Sequence, residues 1–259
     1  MDAEPIDFSD KDEQVKIEVG AIIVATGFDL YGGKLLSAFG YGTLPNVYTS
    51  MEFERLYASN GPTSGELLLR KGKKLPDSVA IVHCIGRKEL GYCSGVCCMY
   101  SFKYAHFIKD KLPEATVYNI YSDICVPNKS YQSFYNKIKD SNSTFIFQSA
   151  PDIVQIAGNN GKLQVKLTAG KGSKNSLNVD MVILSCALVP AKTSKELADI
   201  LGIERDSKGF FQTRKGYIGT VQTSVDGIFT VGCAEGPKDI EDSVIQAESA
   251  VGEVFSLLG

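Results

Sequence analysis

Histidine is nearly missing from this sequence. His83 and His106 are the only two in 259 residues, and no acid–base or nucleophilic set gathers around either, so chemistry by side chains is not the main event expected of the chain. His83 falls inside an apolar run and reads as core, or as the surroundings of whatever lies at the end of that run. No apolar stretch approaches the ~20 residues needed to span a bilayer. The acidic amino terminus MDAEPIDFSDKDEQ has neither the basic nor the apolar region of a secretory signal, so a cytoplasmic protein is expected, with any membrane contact made through a partner. The formal net charge is -3 and no long run of Lys or Arg occurs, which leaves little basis for electrostatic binding of nucleic acid. Internal repeats and low-complexity tracts are absent as well. A hydrophobic content of 44% is enough for a real core in one large domain or two interleaved ones.

What the sequence does contain is an alternation of strand-like and helix-like segments. Val15 to Thr26 (VKIEVGAIIVAT) alternates and then becomes continuously apolar, as a strand does on entering a sheet covered on both faces, and Gly27 ends it. A short helix is predicted around Ser50 to Ser59, followed by the polar loop GPTSGE at Gly61 to Glu66. Ser78 to Cys84, Ala115 to Tyr121, Thr144 to Gln148 and Val179 to Ser185 read as strands, and Gly95 to Lys111 and Ser130 to Lys139 as helices. Ile153 to Ile156 and Leu163 to Leu167 flank Gly158, Asn159, Asn160 and Gly161, residues that tolerate positive φ, and predict a hairpin. Pro190 marks the exit from the preceding strand. Thr193 with Glu196 matches a capping box that opens a short helix ending at Gly202. Gly227 to Gly232 is a last strand and Asp239 to Leu258 a final amphipathic helix. Strands separated by helices predict a parallel α/β architecture. The inserted hairpin is a more specific clue, because two-domain flavoprotein reductases carry such an excursion inside their second dinucleotide-binding lobe. ATG at Ala25 to Gly27 and GIFTVGCAEGPKD near the end would then lie where the chain leaves and re-enters the first lobe.

Four of the seven cysteines, Cys84, Cys93, Cys97 and Cys98, crowd into CIGRKELGYCSGVCC. So many polarisable thiols together are an oxidation hazard unless they serve a metal or redox group, and an odd number in a reducing compartment makes a poor disulfide framework. The strand ending at Cys84 reaches the position where a nicotinamide-binding lobe places its glycine-rich turn. The sequence there reads CIGRKE, without GxGxxG, so nicotinamide binding in the standard mode is not expected. If Gly95 onward is helical, Cys93 and Cys97 face the same way, while adjacent Cys97 and Cys98 diverge by about 100°. A single zinc prefers converging thiolates, whereas a cubane offers several irons that divergent thiolates reach. A [4Fe-4S] cluster is therefore the leading reading. A lone zinc, ordinary buried cysteines, and a Cys93–Cys97 dithiol lacking the C-x-x-C arrangement stay open beside it. Cys125, Cys186 and Cys233 are isolated in sequence and read as structural.

The blocks VGAIIVATGFD, NVYTSMEFERL, YCSGVCCMYSFKYA and GIFTVGCAEGPKDIEDSVIQAESA, running from about Val15 to the end, resemble the A subunit of heterodisulfide reductases and the related flavoprotein subunits of sulfate-reducer and sulfur-oxidiser complexes. The resemblance implies a glutathione/thioredoxin-reductase-like two-lobe FAD/NAD(P)-binding fold that carries FAD, with a [4Fe-4S] cluster beside the flavin in place of a nicotinamide site. Residues 1–75 would form part of the FAD lobe and a crossover, 76–190 the inserted lobe with the cysteines, and 191–259 the return to the FAD lobe. Carried over by position, Cys84, Cys93, Cys97 and Cys98 would be the cluster ligands. Lys103 would sit at the reactive edge of the isoalloxazine, where a cation stabilises reduced, anionic flavin; a solvated surface lysine is the plain alternative. Thr26, Gly27 and Phe28 would touch the flavin, as would Gly232, Gly236, Pro237, Lys238, Asp239 and Ile240 of the GCAEGPKDI turn. Asp239 opens the last helix, whose N-terminus offers unpaired N–H groups to flavin carbonyls or phosphate, and Ser243, Gln246 and Ala247 would continue the contact.

Expected partners are other heterodisulfide-reductase-like subunits or iron–sulfur proteins, with homodimerisation a further arrangement. Electrons would pass between FAD and the cluster and on to subunits that process a disulfide, a quinone or ferredoxin. The chain departs from the family in two ways. It lacks the strand, GxGxxG turn and helix that hold the FAD pyrophosphate, and it lacks the C-x2-C-x2-C-x3-C-P ferredoxin runs of longer relatives. The expectation is a shortened chain or a split subunit whose other half comes from a second polypeptide, with FAD held stably only when that half is present. Two other functions compete: a cluster-carrying docking fragment without flavin, and a metal-free thiol–disulfide oxidoreductase whose dithiol titrates near neutral pH.

Overall fold

The apolar segments Ser78–Ile85 and Met181–Cys186 become strands buried on both faces, whereas Ile22 and Ile23 of the first apolar run stay exposed. The structure, a computed structural model, describes residues 9, 11–32, 34–70, 72–141, 143–147, 155–159, 161–168, 174–214 and 221–259. In chain order the elements are β1 (Ile22–Val24), β2 (Phe28–Leu30), α1 (Lys34–Ala38), β3 (Val47–Thr49), α2 (Ser50–Tyr57), β4 (Ser78–Ile85), α3 (Arg87–Leu90) and α4 (Cys97–Lys111). There follow β5 (Thr116–Tyr121), α5 (Lys129–Asp140), β6 (Thr144–Phe147), β7 (Gln155–Asn159), β8 (Lys162–Thr168), β9 (Lys174–Val179), β10 (Met181–Cys186), β11 (Leu188–Pro190), α6 (Ser194–Leu201), β12 (Ile228–Thr230) and α7 (Ile240–Leu258).

The largest sheet has five parallel strands in the order β3-β10-β4-β5-β6. β10 is buried along its whole length, which is why it reads as an unbroken apolar run. One face of this sheet packs against the antiparallel sheet β7-β8-β9 through Val82, Val182, Leu163 and Val165. The other face carries α2, α4 and α5 through Phe53, Phe102, Ile108 and Ile138. A second, smaller unit pairs β1 with β12 in parallel and is covered by α6 and α7. β2 and β11 run antiparallel between the two. The five-stranded sheet draws its edge strand β3 from the region before residue 76, so the chain contributes to that sheet from both sides of the sequence boundary.

Most predicted elements form, and the differences have local causes. The strand expected over residues 15–26 is confined to β1, because only Ile22, Ile23 and Val24 have partners on β12; Val15, Ile17 and Val19 stay exposed. The Thr193 capping box does not form: Thr193 has helical backbone angles and its side chain makes no capping bond. A capping box closes instead at Thr49, whose Oγ1 accepts from Glu52 N while Glu52 Oε2 accepts from Thr49 N at 2.8 Å. The hairpin is observed as β7 and β8, joined by a third strand, β9, that was not expected. Ile153, Asn160 and Gln148 of the predicted strands and turn lie outside the described residues.

Asp180, between β9 and β10, ties this layer together. Its Oδ2 accepts from Asp77 N, Ser78 N and Ser78 Oγ at 3.1, 3.1 and 2.8 Å, and Oδ1 pairs with Lys162 at 3.1 Å. Burial pushes this carboxyl up, but the Ser78 and Lys162 contacts outweigh it and hold it below the usual carboxylate value. Its stabilising contribution is therefore present above the ordinary aspartate range and is lost as pH falls through the depressed value. Asp180→Ala is expected to cost about 1–3 kcal/mol at neutral pH. Urea unfolding at pH 7 and pH 3 checks this, because the gap from wild type should narrow at the lower pH.

Candidate functional site: a thiol-lined cavity beside an open cleft

Cys84, Cys93, Cys97 and Cys98 all line one small cavity, together with Arg87, Asp123 and Cys125. Each arrives by a different local device. Between β4 and β10 the register slips: Val82 faces Leu184 and Ile85 faces Cys186, so His83 and Cys84 stand opposite Ser185 alone. This is a β-bulge, and Cys84 takes a positive φ of 64° in it, a costly conformation for a non-glycine residue that re-aims its side chain out of the ladder. Cys93 does not share a helix with Cys97, as the spacing suggested. Gly91 and Gly95 at φ 71° and 73° break any helix before residue 97, and the turn between them brings Cys93, which stays exposed, to the edge of the cavity. Leu188 of β11 pins that turn: its N–H donates to Ser94 Oγ at 2.9 Å and its carbonyl accepts from Tyr92 Oη at 2.7 Å. Cys97 and Cys98 occupy the first two positions of α4 and are both buried.

The thiols share surroundings as well as a cavity. Cys84 Sγ and Cys98 Sγ approach the same carbonyl, Asp123 O, at 3.6 and 3.8 Å. Backbone N–H groups of Gly95 and Cys125 donate to Cys93 Sγ and Cys98 Sγ, each at 3.4 Å. Arg87 pairs with Asp123 at 2.9 Å at the rim. Burial pushes the Cys97 thiol up to about 11 and the Cys98 thiol up to about 12, with the neighbouring cysteines adding to the shift. All seven cysteines are free. Among the described residues, no three His, Cys, Asp or Glu side chains are arranged to hold a single metal ion. Cys125, isolated in sequence, is a fifth thiol at this cavity; β5 returns it there, a long-range contact that spacing along the chain does not signal. Cys186 is buried behind the cluster, and its carbonyl accepts from Cys97 Sγ at 3.6 Å and Tyr100 Oη at 3.0 Å.

His83 is fully buried one residue before Cys84, as its place in the apolar run suggested. Its Nε2 lies 3.2 Å from Asn119 Oδ1, and burial pulls its pKa down to about 4, so it is a neutral core group.

Ser94 and Gly95 have cavity on one side and, on the other, a cleft of about 980 Å³. The cleft lies between the start of α4, α5 and the start of α7. Of the sequence-expected flavin contacts, Phe28, Lys103, Pro237, Lys238, Asp239, Ile240, Ser243 and Ala247 line it. Thr26, Gly27, Gly232, Gly236 and Gln246 do not. Gln246 supports the turn from behind, its Oε1 accepting from Gly232 N at 2.7 Å. Asp239 caps α7 by accepting from Asp242 N at 2.8 Å and also accepts from Tyr131 Oη at 2.8 Å, which pushes Tyr131 up to about 12. Lys103 is paired with Glu54 at 2.8 Å, and Lys238 with Glu235. Val96, Met99, Tyr131 and Phe134 also line the cleft, as does Cys233, which the sequence suggested was structural; an aromatic stripe on helices gives no sequence signal that separates cleft from core. A volume in the range of cofactor sites, a largely apolar lining and a helix N-terminus at one end suit a planar, hydrogen-bonding ring system. The donor set of the neighbouring cavity, dominated by cysteine sulfur, suits iron and sulfide.

No protein-family model matches the chain. It is 36% identical over 262 residues to the iron-sulfur A subunit 1 of CoB–CoM heterodisulfide reductase from Methanopyrus kandleri, an alignment covering 98% of this chain and 39% of that protein. It is also 36% identical over 246 residues to the A subunit of H(2):CoB-CoM heterodisulfide,ferredoxin reductase from Methanothermobacter thermautotrophicus, covering 92% and 37%. With the A subunit of the ferredoxin/F(420)H(2)-dependent CoB-CoM heterodisulfide reductase from Methanosarcina acetivorans it shares 32% over 99% of this chain and 33% of that one. The chain thus spans well under half the length of these relatives. Among solved structures it is similar to thioredoxin reductase from Lactococcus lactis, with a TM-score of 0.57 at 19% identity over 92% of this chain and 65% of that one. That likeness shows the fold, a thioredoxin-reductase-like α/β architecture. Among the described residues, no helix is long and apolar enough to cross a membrane.

Proposed function

Because the chain belongs to the family of heterodisulfide reductase A subunits, we propose that it is an electron-transfer oxidoreductase component in which a [4Fe-4S] cluster and FAD occupy neighbouring sites. The observation that carries this reading is the shared wall: Ser94 and Gly95 border both the thiol cavity and the open cleft. Groups held in these two spaces would be separated by this one backbone segment. When bound, the cluster supplies one-electron transfer and the flavin exchanges one or two electrons.

The chain's own residues hold and isolate these groups. Cys84, Cys93, Cys97 and Cys98 would hold the cluster, and the N–H groups of Gly95 and Cys125, which donate to Cys93 Sγ and Cys98 Sγ, would tune its potential. In the cleft, Val96, Met99 and Phe134 would give a bound ring an apolar wall. Lys103 brings positive charge to it, with Glu54 fixing the ammonium. The N-terminus of α7, capped by Asp239, directs partial positive charge toward the far end. Residues 76–190 act as the cluster-bearing lobe, completed by β3, and residues 1–75 and 191–259 form the flavin side. Partner subunits of a heterodisulfide-reductase-like complex, in the cytoplasm, would deliver and remove the electrons.

Cys93 and Cys97 do not share a helical turn, since α4 begins only at Cys97, which weakens the geometric ground for a Cys93–Cys97 dithiol. Ala247→Phe tests the flavin assignment, since Ala247 lines the cleft and not the thiol cavity. The variant is expected to keep its iron and sulfide while flavin binding, followed by absorbance, weakens at least about tenfold. The measurement is made on the chain alone and with a polypeptide supplying the nucleotide-binding half. Wild type that holds iron but no flavin in both conditions would instead establish the docking fragment.

A further inference from the structure

On the side of α2 away from Lys103 lies a second cleft, of about 730 Å³, that the electron-transfer reading does not use. We propose that it binds a phosphate monoester with an apolar or aromatic body. The floor is apolar: Tyr48 and Leu56 are buried and Met51 is half exposed above them. The rim is cationic, formed by Arg55, Arg70 and Lys73. Glu52 is the one carboxylate among the described lining residues, and both its oxygens are engaged, Oε1 by Arg70 at 2.7 Å and Oε2 by Thr49 N at 2.8 Å.

The two guanidinium groups are held ready rather than left to wander. Arg70 lies 4.2 Å over the Tyr48 ring and its backbone N–H donates to Asn46 Oδ1 at 3.1 Å. Arg55 donates to Asn60 Oδ1 and Asn60 O at 3.1 and 3.0 Å. Each guanidinium has five N–H donors and uses one or two of them here, so both keep donors for an anion. Lys73 makes no ion pair among the described residues. Charge decides the ligand class. Three cations against one carboxylate leave two positive charges, which a phosphate monoester, at about -1.5 to -2 near neutral pH, balances and a single carboxylate does not. The volume falls within the ordinary range for small-molecule sites of ~300–1,000 Å³, and fixed donors lower the ordering cost of binding.

The chain contains no Trp, so fluorescence of 1-naphthyl phosphate can be followed against a low background. Saturable binding is expected, weakened about tenfold or more by raising salt from 50 to 500 mM and about tenfold each by Arg55→Gln and Lys73→Gln. Lys73→Gln removes no side-chain bond to the described residues and guards against misreading a folding defect, which circular dichroism of both variants also monitors. Inorganic phosphate should compete only weakly, and 1-naphthol and 1-naphthoate should bind at least about tenfold more weakly than the phosphate. The proposal is overturned if wild type shows no saturable binding or if naphthol or naphthoate binds as well as the phosphate. It is equally overturned if both variants bind like wild type, or if Ala247→Phe in the other cleft abolishes the signal.

Discussion

Cys97→Ser, reconstituted anaerobically with iron and sulfide, is expected to hold far fewer than the about four irons per chain expected of wild type, and to lose the visible absorption of a cluster. The argument rests on position and chemistry. Cys97 is the first residue of α4, buried, with its thiol against the Cys186 carbonyl at 3.6 Å. Serine nearly matches its volume, so helix and core should be undisturbed and the far-ultraviolet circular dichroism unchanged. What changes is ligand softness: a hydroxyl replaces a polarisable thiolate where iron selects sulfur. Cys125→Ser is the informative companion. Cys125 lines the same cavity, but its contribution to the proposed site is a backbone N–H on Cys98 Sγ, which the substitution keeps, so its iron content should match wild type. A Cys97→Ser protein that retains a full complement of iron, or a Cys125→Ser protein that loses it, would show that the ligand set is drawn wrongly.

The same comparison separates what the sequence carried from what it did not. The apolar runs at Ser78–Ile85 and Met181–Cys186 were legible because a strand buried on both faces leaves no polar alternation. The α7 N-terminus was legible because Asp239 can cap only where the helix begins. Residues that converge through tertiary structure were not. Cys125 and Asp123 reach the cavity on the segment after β5, and Tyr131 reaches Asp239 from α5 at 2.8 Å; neither pairing has a local signature. The Cys93–Cys97 relation misled because C-x3-C matches a helical turn, while Gly91 and Gly95 in positive φ forbid the helix. At Thr193 and Thr49 the capping pattern occurs twice, T-x-x-E each time, and only the second closes. The difference is backbone: Thr49 is extended at ψ 164° whereas Thr193 is already helical at ψ -9°, so its oxygen cannot reach back over the first turn.

Phe102→Ala should destabilise the folded chain by about 3–5 kcal/mol, a large share of the roughly 5–15 kcal/mol typical of a folded domain. Phe102 has no exposed surface, and its ring sits 5.7 Å from His83, 5.2 Å from Tyr135 and 5.9 Å from Phe145. It therefore locks α4 to β4, α5 and β6 at once, and truncation leaves a cavity that three different elements would have to collapse to fill. Its neighbour Lys103 points elsewhere, to a partly exposed ion pair with Glu54, so Lys103→Ala should change stability by no more than about 1 kcal/mol. Two adjacent residues on one helix thus predict opposite outcomes in urea unfolding of the iron-free protein. The consequence reaches the site, because α4 begins with Cys97 and Cys98 and its anchoring fixes where those thiols stand. Reconstituted Phe102→Ala should accordingly release iron to a chelator faster than wild type, while Lys103→Ala releases it at the wild-type rate. Equal stability of Phe102→Ala and wild type would mean that α4 is not held by this core. Unchanged iron release from a destabilised Phe102→Ala would mean that the thiols are fixed by the Gly91–Gly95 turn and the β4 bulge without help from the helix.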